Sequence, residues 1–133
     1  MMRVGFDIPG TPFAKERPRF NRKTGRAYTP GKTESFERSV GTIARQHFPQ
    51  PFTGPVRVTI FAVFKPALSW SKRKTAAALG RPHTQRPDLD NIEKAILDGL
   101  NRIAFADDAQ VAEVIKRKTW GAIPNTAVIV EAI

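Results

Sequence analysis

Val4, Phe6 and Ile8 alternate with Arg3, Gly5 and Asp7, the two-residue period of a half-buried strand, until Pro9-Gly10 and Pro12 interrupt it. Val56, Val58, Ile60, Ala62 and Phe64 repeat that alternation up to Pro66 and predict a second strand. Val111 to Trp120 and Thr126 to Ile133 predict a closing strand pair joined through Gly121 to Asn125. Between these runs the period changes. Phe36, Val40, Ile43, Ala44 and His47 recur at helical spacing, which predicts a helix with Thr29 as N-cap, Pro30 in its first turn and an end near Phe48. Ser69 to Gly80 reads as a short basic helix. Ile92, Ala95, Ile96, Gly99, Leu100 and Ile103 mark one apolar face of a third helix that opens at Asp88 and ends near Asn101. The resulting order is β-α-β-α-α-β-β. It specifies an α+β fold: a single small domain over residues 1–133, with a mixed sheet of about four strands packed with helices.

The segment from Pro12 to Tyr28 lacks a regular period and, with its prolines and glycine, reads as an extended loop. It carries Lys15, Arg17, Arg19, Arg22, Lys23 and Arg26 with Phe13, Phe20 and Tyr28 among them. Such a mixture suits nucleic acid, where cations hold phosphates and rings stack on bases. Tucking the rings into the core is an equal alternative.

Charge strengthens the nucleic-acid reading. The chain has 22 Lys+Arg against 12 Asp+Glu, a formal net charge of +10 in 133 residues, and this excess points to a polyanionic partner. No apolar run is long enough to cross a bilayer and no basic amphipathic helix stands out, so no membrane partner is expected and a cytoplasmic location is the default. There is no cysteine and there are only two histidines, which excludes disulfides, thiolate sites and a zinc site built from Cys and His. A metal site here has to be carboxylate-rich, which favours magnesium or manganese.

The carboxylates that matter lie in residues 86–111. Asp88 and Asp90 open the third helix, and Asp107-Asp108 follows it. Singly, each pair has an ordinary explanation. An acidic helix N-terminus gains roughly 1 kcal/mol from capping and the helix dipole, and Asp-Asp before a strand is common turn chemistry. Jointly they suggest more, because an antiparallel return after the helix would bring the second pair beside the first. Like charges so placed call for a cation between them. Asp90, Lys94 and Asp98 lie four apart on a polar line of the same helix, so Lys94 is placed either to neutralise charge at a phosphate or to pair with Asp90 or Asp98.

At this point the segment resembles the signature of RusA-type Holliday junction resolvases. The matching pieces are Asp88-Leu89-Asp90-Asn91, Lys94, Asp98-Gly99-Leu100-Asn101 and Asp107-Asp108-Ala109-Gln110-Val111, and Pro12 to Arg19 resembles the family's opening. Gly99 departs from the pattern, standing where alanine is commoner. The resemblance implies a homodimer that binds four-way DNA junctions and makes paired, symmetric, Mg2+-dependent nicks (Mn2+ being the other candidate ion). It also implies a bacterial or phage-encoded protein. The metal ligands it implies are Asp88, Asp90 and one of Asp107 and Asp108, with Lys94 as an essential cation. Strand parity favours Asp108: if the strand runs from 108, that residue shares a face with Gln110, Lys116 and Lys118, whereas Asp107 shares one with the core-directed Val111 and Ile115. The catalytic set is then Asp88, Asp90, Lys94 and Asp108.

Candidate DNA contacts are Lys15, Arg17, Arg19, Lys72, Arg73, Lys74, Lys116 and Lys118. Trp70 and Trp120 are candidates for base stacking, with packing the expected fate of Trp120; His83 reads as a loop residue and His47 as a packing one. Two other readings compete with a junction nuclease. One is a non-catalytic basic nucleic-acid-binding module whose acids only cap and turn. The other is a broader nuclease acting on flaps or forks.

Overall fold

Apolar residues on one face of a sheet need a second layer, and here two helices supply it. The computed structural model describes residues 2–16, 19–28 and 30–133. In chain order its elements are β1 (Arg3–Pro9), β2 (Arg19–Phe20), β3 (Ala27–Tyr28), α1 (Gly31–Arg45), β4 (Val56–Phe64), α2 (Lys72–Ala78), α3 (Leu89–Leu100), a 3-10 turn at Asp108–Gln110, β5 (Val111–Trp120) and β6 (Asn125–Ala132). The α+β class and the mixed four-stranded sheet expected from the sequence are both present. Thr29, the expected N-cap of α1, lies outside the described residues; Pro30 occupies the cap position. In α2 the cap is Ser71, whose Oγ accepts the Lys74 N–H at 3.1 Å.

Strand order is β1-β6-β4-β5, with β4 parallel to β5 and antiparallel to β6. This corrects the expected closing pair: β5 and β6 are consecutive in the chain but β4 lies between them. The reason lies in what each strand can bury. Val56, Val58, Thr59, Ile60, Ala62 and Phe64 are all buried in β4, which therefore takes a central place, while Lys116 and Lys118 suit β5 to an edge. To reach β6 the chain crosses the end of β4 at Gly121, whose N–H donates to Phe64 O at 2.9 Å and where a Cβ would run into Val63.

The core lies between this sheet and the helix pair. Phe6, Ile8, Val58, Ile60, Val128 and Val130 meet Val40, Ala44, Ile92, Ile96, Leu100 and Phe105, all buried. The other face of the sheet carries exposed apolar residues. Ile115, expected to point to the core, is on that outer face and 46% exposed, with Phe61 exposed nearby.

The loop expected before α1 is partly ordered into the β2–β3 hairpin, with Arg19 opposite Tyr28 and Phe20 opposite Ala27. Ahead of it, the chain is strapped to the helices: Lys15 N–H donates to Asn91 O at 3.0 Å, Glu16 N–H to Thr33 Oγ1 at 3.2 Å, and Phe13 stacks on Phe36.

Candidate active site

Asp88 is the N-cap residue of α3, with extended backbone at φ −75° and ψ 147°, yet its carboxylate makes no capping hydrogen bond. It stays exposed, and the open cleft of about 370 Å³ beside it is lined by Arg86, Pro87, Asp88 and Asn91. Asp90, one residue into the helix, accepts the Asn91 N–H at 3.0 Å on one oxygen. The turn that presents Asp88 is held from behind. Lys118 Nζ donates to the carbonyls of Gln85 at 2.6 Å and Pro87 at 2.8 Å, so an edge-strand lysine fixes the residues just before the helix. Lys94 is exposed and makes no ion pair among the described residues. Asp98, its expected partner one turn on, is instead bound by Lys15. That contact raises the Lys15 pKa, first through the hydrogen bond to Asp98 and against the opposing cost of burial.

Beyond the other end of α3, Asp107 and Asp108 sit in different environments despite being neighbours. Asp107 caps the 3-10 turn: its Oδ1 accepts the Ala109 N–H at 3.2 Å, and Gln110 Oε1 accepts the Asp107 N–H at 3.1 Å. The Gln110 amide then donates to Phe52 O at 2.8 Å and Gly54 O at 2.9 Å, stapling this turn to the segment that leads into β4. Asp108 is exposed, and its pKa is pushed up, first by hydrogen bonding with Asp107, then by desolvation and by the charges of Asp107 and Asp98. Strand parity does not choose between the two aspartates, because residues 108–110 form a turn and β5 begins at Val111. What separates them is that Asp107 is committed to a cap.

The two aspartate pairs do not meet within one chain. Asp88 precedes α3 and Asp107-Asp108 follows it, so about 18 Å of twelve-residue helix separates their ends. Among the described residues no group of three Asp, Glu or His gathers as a metal would require. This corrects the expected return of the second pair to the first. The loop after α3 runs from Leu100 to the start of β5, and β5 is parallel to β4, so it departs from the carboxyl-terminal end of α3 and reaches Asp88's end only at Lys118. The donor chemistry is nevertheless right for a hard divalent ion: Asp88 and Asp108 are exposed carboxylates with open oxygens. A single chain holds each half of such a set and assembles neither into a whole.

The expected DNA-contacting cations divide into two groups. Lys15 is held by Asp98, Lys116 pairs with Glu93 at 2.9 Å, and Lys118 clamps the 85–87 turn, so these three tie α3 to its surroundings. Lys116 and Lys118 lie on the helix-covered face, opposite Ile60 and Ala62 of β4, which reverses the expected orientation of β5. Arg19, Lys72, Arg73 and Lys74 are exposed, Arg19 lying 3.7 Å from Glu16 and Lys74 over the Trp70 ring at 4.1 Å. Arg17 lies outside the described residues. Trp120 packs as expected, against Trp70 and His83. His83, expected to be a plain loop residue, is buried and stacked on Phe64 at 4.0 Å. Burial, then the Lys118 charge, lowers its pKa. Sequence reasoning missed the Lys15–Asp98 pair, the Lys118 clamp and the Gln110 staple, since each joins residues more than thirty positions apart. The quoted signature contained Asp98 and Gln110, but nothing in it told a structural role from a catalytic one.

Residues 9–131 match the family described as Endodeoxyribonuclease RusA. The chain belongs to that family. A Bacillus subtilis (strain 168) protein described as "Uncharacterized protein YqaN" is 33% identical over 139 residues, covering 98% of this chain and 96% of the relative. The family match begins at the last residue of β1 and spans both halves of the site, β4, β5 and all but the last residue of β6. RusA membership makes the chain an endodeoxyribonuclease by family. Among the described residues no helix is long and apolar enough to cross a membrane.

Proposed function

We propose that this RusA protein is one half of a two-fold homodimer that cuts four-way DNA junctions by paired symmetric nicks. Its residues hold magnesium, or manganese, through Asp88, Asp90 and Asp108. The observation that carries this reading is the separation of the two aspartate pairs to opposite ends of α3. Two copies related by a two-fold axis, with their α3 helices antiparallel, bring each chain's Asp88 and Asp90 to the partner's Asp108. The operation that completes one site completes a second, and two sites related by a two-fold axis match the symmetry of a four-way junction.

In this arrangement Asp88 supplies carboxylate oxygens that no helix cap uses, Asp90 supplies the oxygen not engaged by the Asn91 N–H, and Asp108 supplies those that Asp107 spends on its turn. When bound, a divalent ion lowers the cost of charge at the scissile phosphate and activates the attacking water. Lys94, with no partner among the described residues, offers its ammonium to a phosphate oxygen. Arg19, Lys72, Arg73 and Lys74 hold the flanking backbone. The location that goes with this work is the bacterial cytoplasm.

The test is incubation of a mobile synthetic four-way junction with wild type, Asp88→Asn and Asp108→Asn, with and without magnesium. Wild type is expected to nick in magnesium, and each variant to bind without cutting. A one-to-one mixture of the two variants is then expected to regain nicking, because a mixed dimer contains one site with both carboxylates intact. Junction binding with no magnesium-dependent nick by wild type would leave only a nucleic-acid-binding module. Active wild type with no recovery in the mixture would place the site within one chain. Equal cutting of flaps and forks would broaden the substrate class.

A further inference from the structure

Of the three rings between residues 13 and 28, Phe13 stacks on Phe36 at 4.7 Å. Phe20 is 73% exposed and Tyr28 49% exposed. Phe20 faces Ala27 across the hairpin, so its cross-strand neighbour is a single methyl group that leaves the ring bare.

The hairpin presenting Phe20 is a built one. Asn21 N–H donates to Arg26 O at 2.9 Å, and Gly25 N–H returns to Asn21 O at 2.8 Å. The Asn21 side chain accepts the N–H groups of Lys23 at 2.9 Å and Thr24 at 3.3 Å. Gly25 turns the chain at φ +68°. The tip thus satisfies its own backbone while displaying its side chains. From Arg19 to Tyr28 these include Arg19, Arg22, Lys23 and Arg26, all exposed, and no carboxylate.

A bare ring on a cationic ribbon is complementary to a polyanion that offers open base faces. Within a continuous duplex every base face is covered by its neighbours. At a branch point the stacks end, and faces become available without the cost of unstacking. We infer that the β2–β3 hairpin reads the branch: Arg19, Arg22, Lys23 and Arg26 hold phosphates, and Phe20 stacks on a base exposed where the strands exchange. This rests on the reading of the chain as a nuclease of branched DNA. It adds the residue that distinguishes a branch from a duplex.

The test places 2-aminopurine at the branch of a four-way junction, and at an interior position of a duplex control. Both are titrated without divalent ion, so that nothing is cut, against wild type, Phe20→Ala and Phe20→Trp. Wild type is expected to change the junction fluorescence and not that of the duplex. Phe20→Ala is expected to abolish that change and bind the junction about tenfold more weakly, with duplex affinity unaltered. Phe20→Trp restores both. A Phe20→Ala protein with the wild-type fluorescence change and the wild-type ratio of junction to duplex affinity overturns the inference while leaving the nuclease reading intact. A wild type that binds neither DNA removes the underlying reading and the inference together.

Discussion

Lys118 Nζ donates to Pro87 O at 2.8 Å, which connects the far end of an edge strand to the residue immediately before Asp88. The same ammonium donates to Gln85 O at 2.6 Å, so two carbonyls of one turn converge on one charge. Hydrogen bonds to a charged group are each worth about 1.5–3 kcal/mol. Lys118→Met keeps the aliphatic stem and removes the donor; it is expected to cost stability in about that range, seen as a lower urea midpoint. Its junction nicking is expected to fall further than its junction binding, because the loosened turn carries Asp88. An unchanged midpoint would show that the clamp contributes nothing.

Gly99 marks the close approach of α3 to α1. A Cβ there would lie 2.7 Å from Val40 Cβ, which is not the movable end of a long side chain. Alanine improves intrinsic helix propensity by about 1 kcal/mol, whereas overpacking typically costs about 1–3 kcal/mol. The steric term wins, so Gly99→Ala is expected to lower the thermal midpoint. In a Val40→Ala background the same change is expected to be neutral or stabilising, since the obstructing methyls are gone. A Gly99→Ala protein more stable than wild type would mean that the helices part without cost.

Glu37 on α1 has its pKa raised above 4.5, mainly by burial and further by the charge of Asp98. A raised carboxyl pKa means that the folded state holds the proton more tightly than the unfolded state. Its contribution to stability is therefore present below 4.5 and lost as pH climbs through the folded-state value. Glu37→Gln is expected to be more stable than wild type at neutral pH, with the two denaturation curves converging once the solution is more acidic than 4.5. A constant difference at all pH values would assign the effect to packing rather than to ionisation.

Much of this could be read directly from residue order. Alternation at 4–8 and 56–64 placed β1 and β4, and apolar spacing from Ile92 to Leu100 placed α3 with Asp88 at its mouth. The hairpin was missed because Arg19–Phe20 and Ala27–Tyr28 are two-residue strands, too short to show a period. The sequence also could not tell which cations were free. Lys15, Lys116 and Lys118 look no different in the chain from Lys72 and Lys74, and only their long-range partners separate them.

What the sequence by itself determined is the class of chemistry: acidic residues at chosen positions in a basic chain, without cysteine, and in an order that resembles one nuclease signature. These depend on residue identity and short spacing, which the chain states directly. Only the tertiary structure decided that β4 divides β5 from β6, that Asp107 is a cap while Asp108 is free, and that the aspartate pairs stand at opposite ends of α3. The physical reason is that burial chooses strand order. The most apolar strand takes the centre, β5 runs parallel beside it, and the loop from α3 then has to leave the Asp107-Asp108 pair at the end of the helix remote from Asp88.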